Sequence, residues 1–187
     1  MTILCPGSMV ELQDMLAWAV EKHNGPVALR YPRGADKDYK LSAWSDQTDV
    51  ASNGALACHR TGGKVALITY GSLLQNVMDA AQELHLKGVD ATVLRLLSVA
   101  PLPIEKVLSQ IENCSHVVII EETCNASGIC EALAWQLQCC RPDCKITCMD
   151  LGGRFIPHGS IDTLYHHCRI DTESIVDRVL EVLKVEN

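Results

Sequence analysis

Residues 64–103 read KVALITYGSLLQNVMDAAQELHLKGVDATVLRLLSVAPLP, a strand, a helix and a second strand in succession. Val65, Ala66, Leu67, Ile68 and Tyr70 form the short apolar run expected of a strand buried on both faces. Gly71 permits a tight turn, and Ser72 is the expected N-cap of the helix that follows. Leu74, Val77, Met78, Ala81 and Leu84 recur at helical spacing, while Gln75, Asp79, Gln82 and Glu83 fall outside that stripe. Gly88 stands where a left-handed helix cap is wanted, Ala91–Leu97 supplies the second strand, and Pro101 and Pro103 stop it. Two parallel strands joined by a helix need helix layers on both sheet faces, and the rest of the chain must provide them.

The surrounding segments do so. Ile104, Val107, Leu108 and Ile111 mark a short helix starting near Pro103, and Val117–Ile120 is a wholly apolar strand running into Glu121-Glu122. After a loop over 123–128 comes a helix with Ile129, Leu133, Trp135 and Leu137, then a strand over 145–149. A glycine- and proline-marked loop covers 150–159. Helices follow from Ser160 to about Cys168 and from Thr172 to Lys184. The predicted fold class is α/β: an open, mainly parallel sheet with helices on both faces, over residues 64–187.

Residues 1–34 form a smaller unit. A strand end at Ile3-Leu4, a helix capped by Ser8 and a strand at Val27–Leu29 lead into Arg30-Tyr31-Pro32-Arg33-Gly34. Two strand pieces and one helix cannot bury a core unaided, so this unit is expected to be the tail of a larger domain cut at Met1. Residues 35–63 lose the pattern and read as an interdomain connection with a short hairpin ending at Cys58–Arg60.

Composition narrows the partners. Across 187 residues the net charge is −7 without a basic run, which argues against nucleic acid. No apolar stretch has transmembrane length, and the N-terminus lacks the basic and apolar regions of a signal peptide, so cytoplasm is the expected location. Most of the ten cysteines fall inside strand or helix patterns, Cys5, Cys130, Cys139 and Cys148 among them, and read as small buried hydrophobes. Cys139, Cys140, Cys144 and Cys148 cluster without a paired knuckle. Reduced thiols are expected there and no metal site.

No complete active site can be assembled from motifs, and no catalytic residue is assigned. Tyr70-Gly71-Ser72 opens a helix after a strand, where anions are often held, but the single glycine favours a plain turn and cap. Arg30 and Arg33 flank a Pro-stiffened turn at a strand end, a geometry suited to bidentate capture of phosphate or carboxylate; a structural salt bridge is an equal alternative. Glu121 and Glu122 point to opposite faces if the strand continues, so interface or capping roles are favoured over a catalytic pair. His158, on the loop between Pro157 and Gly159, is a candidate for acid–base work or the wall of a site. His166 and His167 read as surface helix residues.

The order GPVALRYPRG, VALITYGSLLQNVMDAAQELHLKGVDATVLRLLSVAPLP, VVIIEETCNASGICEAL and GGRFIPHGSIDTLYHHCRIDTESIVDRVLEVL resembles the C-terminal third of the 1-deoxy-D-xylulose-5-phosphate synthases. These enzymes belong to the transketolase-like, thiamine-diphosphate-dependent group. The resemblance implies a partial pyrimidine-binding domain over 1–34 and a transketolase C-terminal domain over 64–187. It implies condensation of pyruvate with glyceraldehyde 3-phosphate with loss of carbon dioxide. Thiamine diphosphate and magnesium would be held by an N-terminal part that carries a Gly-Asp-Gly motif, with none bound by this chain. That part is the expected partner, and a homodimer the expected assembly of the whole enzyme. An arginine of Arg30–Gly34 would meet the acceptor phosphate, Arg33 in preference to Arg30. Asn125-Ala126-Ser127-Gly128 stands where the family has Gly-Gly-Ala-Gly, which puts the inherited turn in doubt. Two rival readings are a stand-alone interaction or regulatory module of the same fold, and the C-terminal domain of a 2-oxoacid dehydrogenase β subunit. The first predicts no exposed apolar surface around 1–34.

Overall fold

A computed structural model describes residues 1–32, 44, 47–124 and 128–184. The elements in the first half are β1 (Thr2–Leu4), α1 (Met9–Glu21), β2 (Val27–Leu29), α2 (Val50–Asn53), β3 (Leu56–Arg60), β4 (Val65–Tyr70), α3 (Leu74–Leu86) and β5 (Ala91–Leu96). The second half adds β6 (Ser98–Ala100), α4 (Ile104–Gln110), β7 (His116–Ile120), α5 (Ile129–Cys140), β8 (Lys145–Met149), α6 (Ile161–Cys168) and α7 (Thr172–Lys184).

The run at 65–70 is the middle of a five-stranded sheet of order β3-β5-β4-β7-β8. β4 is parallel to β5 and β7, and β7 to β8. Every residue of β4, β5 and β7 is buried, which is why these strands show no polar alternation. On one face Val65, Leu67, Val93 and Val118 pack against α3, α6 and α7; on the other, Ala66, Ile68, Leu94 and Ile119 pack against α4 and α5. The open, mainly parallel sandwich expected from the sequence is the fold observed.

Three local expectations are overturned. Ser72 does not cap α3: Gly71–Leu73 make a 3-10 turn, and the Ser72 hydroxyl donates instead to Glu122 Oε2 at 2.9 Å. The stretch expected to end in a hairpin supplies β3, which pairs antiparallel with β5 as the sheet's edge strand. It is five residues long and only Ala57 is fully buried, so the sequence carries little strand signal. The strand expected over 91–97 changes sheets at Leu97. β5 stays in the large sheet while β6 pairs with β1, and the Cys5 amide donates to the Leu97 carbonyl at 2.8 Å.

The second sheet has the order β2-β1-β6, with β1 and β2 parallel. Ser8 caps α1 by accepting from the Glu11 amide at 3.2 Å, as its position before an apolar run predicts. Leu4 and Met15 pack with Trp44, Val50 and Leu97 in a third cluster. The opposite side of α1 is not covered: Met9, Val10, Leu16 and Val20 are exposed, Val20 to 76%. The outer edge of β2 likewise has no strand beside it among the described residues.

A buried ion pair joins this unit to the large sheet. Arg95 of β5 donates from Nη1 and Nη2 to Glu11 Oε2 and Oε1 at 2.5 and 2.8 Å, and both side chains are buried. The Gly7 amide donates to Glu11 Oε2 at 2.7 Å, and Arg95 Nε to His59 Nε2 at 3.2 Å. A Cβ on Gly7 would collide with the Arg95 guanidinium, so only glycine admits the pair at that point. Such a pair is a net stabiliser only while complete, because removing one partner leaves a buried charge unpaired.

Candidate functional site

In an open α/β sandwich the carboxyl ends of the strands gather the chain's functional groups. Here the ends of β2, β4 and β7 converge with the start of α6 on an open cleft of about 540 Å3, lined by Arg30, Tyr31, Tyr70, Ser72, Glu122 and Tyr165 among others.

Arg30 follows β2, is held by its amide donating to the Leu4 carbonyl at 2.8 Å, and is exposed. Its guanidinium lies 5.4 Å from the centroid of the Tyr70 ring, a cation–π distance that aims the charge across the cleft. Arg33, the preferred phosphate ligand from the sequence, lies outside the described residues.

Glu121 and Glu122 diverge. Glu121 is buried at the end of β7, and its carboxylate takes three hydrogen bonds: from the Tyr70 hydroxyl at 2.9 Å, the Ile129 amide at 2.9 Å and the Cys130 amide at 3.1 Å. It therefore satisfies the first amides of α5 at the positive end of the helix dipole. Burial, reinforced by the Glu121 carboxylate, pushes the Tyr70 hydroxyl above the usual tyrosine range. A Cβ on Gly128 would meet Glu121 Oε1, so glycine at the start of α5 is a condition of this cap. Residues 125–127, where the family's glycine run is replaced, lie outside the described residues. Glu122 is exposed and accepts from Ser72. Burial raises the nearby Tyr165 hydroxyl to about 12.

His158 sits exposed on the loop before α6 and is not part of the cleft lining. Tyr70 and Ser72, which do line it, were weighed from sequence as an anion-holding turn and set aside for a plain turn and cap; Tyr165, which also lines it, was not singled out. Tyr70 carried one usable signal, its place at the last position of a buried strand.

The cleft presents one arginine, three tyrosines and a surface carboxylate, a set able to hold an anion by charge and hydroxyl contacts. The groups able to hold a cation lie elsewhere, where His166, Asp171 and Glu173 bring ligand atoms within 4.8 Å of one another. Asp171 there already accepts from His166 at 2.7 Å and from the Ser174 amide at 3.3 Å. All ten cysteines are free thiols. Cys5, Cys114, Cys130 and Cys144 are buried, but Cys139 and Cys148 are exposed, contrary to the reading of both as buried hydrophobes. Cys139 faces out from α5, whose other face is covered, whereas Cys148 stands on β8, the outermost strand of its sheet. No helix among the described residues is long and apolar enough to cross a membrane.

A family model described as "Transketolase, C-terminal domain" matches residues 54–175. A 1-deoxy-D-xylulose-5-phosphate synthase of Chlorobaculum tepidum is 32% identical over 98% of this chain and 28% of its own length. The enzyme of the same name from Desulfotalea psychrophila is 30% identical over 100% of this chain and 29% of its own. The chain thus spans under a third of the length of these curated relatives. A solved structure described as "Split gene transketolase, inactive beta4 tetramer" has a TM-score of 0.76 over 100% of this chain and 58% of that one, at 18% identity, and shares the fold.

Proposed function

The chain belongs to the transketolase C-terminal domain family, and from that premise we propose that it is the C-terminal portion of a 1-deoxy-D-xylulose-5-phosphate synthase. The complete enzyme would condense pyruvate with glyceraldehyde 3-phosphate, release carbon dioxide and yield 1-deoxy-D-xylulose 5-phosphate. The observation that carries this reading is the unfinished N-terminal unit. It has a helix with Met9, Leu16 and Val20 exposed and a strand edge that no strand covers among the described residues, in a chain that aligns end to end with relatives more than three times its length. Exposed apolar surface of this kind marks an interaction site, and it counts against a self-sufficient module.

The division at residues 1–34, 35–63 and 64–187 goes with this proposal: the first segment is the tail of a pyrimidine-binding domain whose remainder covers α1. Thiamine diphosphate and magnesium would be held by the N-terminal part of the enzyme. The residues present here do not fit the cofactor, because the sequence has no Gly-Asp-Gly motif and the buried carboxylate at the cleft, Glu121, is engaged by three donors. What this chain contributes is a cleft wall and an anion contact. Arg30, with Arg33 three residues on in the sequence, would take the phosphate of glyceraldehyde 3-phosphate by charge-assisted hydrogen bonds. The chain alone would be inactive, the complete enzyme a homodimer, and the cytoplasm its compartment.

The test is reconstitution. The purified chain is mixed with a polypeptide comprising the N-terminal remainder of the enzyme, thiamine diphosphate, magnesium and the two substrates. Product is expected from the mixture and from neither part alone. Two polypeptides that associate stably yet form no product would refute the activity. Failure to associate, with both parts folded, would refute the partner.

A further inference from the structure

Two of the cysteines meet across the α5 face of the large sheet. Cys148 of β8 is paired with Ile119 of β7 in parallel register, so the two side chains leave the sheet on the same side. Ile119 packs on the face covered by α4 and α5, as does Ile146, two residues before Cys148. Cys130 descends onto this face from the first turn of α5, is buried, and its thiol approaches the Ile119 carbonyl at 3.5 Å. Register and contact together bring both sulfurs to one rung of the sheet, beside Ile119. β8 is the edge strand and Cys148 is exposed, so one sulfur of the pair is open to solvent while the other is buried.

We propose that Cys148 and Cys130 form a solvent-addressable dithiol that a small-molecule disulfide oxidises to an intramolecular disulfide, pinning the first turn of α5 to β8. The Cys148 thiolate attacks one sulfur of the reagent, forming a mixed disulfide and expelling the other half as a thiolate. Cys130 then loses its proton and attacks the Cys148 sulfur, expelling the second half. Both protons leave with the two reduced reagent thiols. Two protein thiols are oxidised and one reagent disulfide is reduced. The order of events follows from the setting. The neighbouring Cys130 thiol holds the Cys148 thiol below the usual range, whereas the Cys148 sulfur and burial hold Cys130 above it. The Cys130 amide is also one of the three donors to Glu121, so the pin would sit one hydrogen bond from the Tyr70 side of the cleft.

Incubating the chain with oxidised glutathione, alkylating the remaining thiols and mapping peptides by mass spectrometry tests this. The expected product links Cys130 to Cys148, with loss of two alkylatable thiols and no retained glutathione at either. Cys130→Ser should stop at a stable glutathione adduct on Cys148. Cys148→Ser, a change at an exposed position, should leave Cys130 reduced and alkylatable on denaturation. The proposal is overturned if wild-type Cys148 keeps its glutathione as the C130S variant does, if it stays unmodified, or if it links to Cys124, Cys139 or Cys140 instead.

Discussion

The two sheets are built from similar strands and meet different ends. In the five-stranded sheet β4, β5 and β7 are buried along their whole length between α3, α6 and α7 on one face and α4 and α5 on the other. In the three-stranded sheet β2 is only half-buried, its outer edge has no neighbouring strand among the described residues, and α1 turns Leu16 and Val20 outward. Layer count makes the difference: a parallel sheet is stable when both faces and both edges are dealt with, and the N-terminal unit has residues for one helix layer only. The complete half can stand as a scaffold. The incomplete half has surface to offer a partner.

The largest effect should come from cutting the bond between the halves. Arg95→Met takes the guanidinium away from the buried Glu11 carboxylate and is expected to cost about 3–5 kcal/mol, read by denaturant unfolding of the chain. Adding Glu11→Leu should restore most of that loss, since a matched apolar pair removes both charges. A double variant as unstable as the single one would show that the contact matters through packing and not charge. In the reconstituted enzyme Arg30→Met should raise KM for the phosphorylated acceptor roughly tenfold to a hundredfold, the loss of about 1.5–3 kcal/mol of a charge-assisted contact, with KM for pyruvate unchanged. An equal rise for both substrates would assign Arg30 to folding of the cleft.

A smaller effect comes with pH. His59 accepts from Arg95 Nε and must be neutral at Nε2 to do so; burial, with the Arg95 charge, lowers it from 6.5 to about 4. Between those values the unfolded chain binds the proton that the folded chain refuses. The contribution is therefore fully present above pH 6.5 and is lost as the pH falls towards 4. With allowance for partial exposure it amounts to about 1–2 kcal/mol. His59→Gln should flatten the stability profile over that window, and an unchanged slope would place the acid sensitivity elsewhere. Least disturbed should be the exposed side of α1. Leu16→Lys is expected to shift the stability of the chain by no more than about 0.5 kcal/mol while preventing association with the N-terminal remainder. A large loss of stability would mean that the helix is already covered in the chain alone.

Local pattern carried the covered half. Continuous apolar runs at 65–70 and 117–120, helical stripes at 74–84 and 175–183, and the cap at Ser8 each match an observed element, because burial on both faces and helix termini leave short-range signatures. The sequence also pointed to Arg30 at a strand end, and to opposite directions for Glu121 and Glu122. It could not give β3, whose place at the edge is set by β5, nor the change of sheet at Leu97, which depends on β1 arriving beside it. Nor could it join Glu11 to Arg95 across 84 positions, Tyr70 to Glu121 across 51, or Cys148 to the rung where Cys130 lands. Periodicity reports which face of an element is buried. Which distant residue waits on that face is decided only when the layers pack.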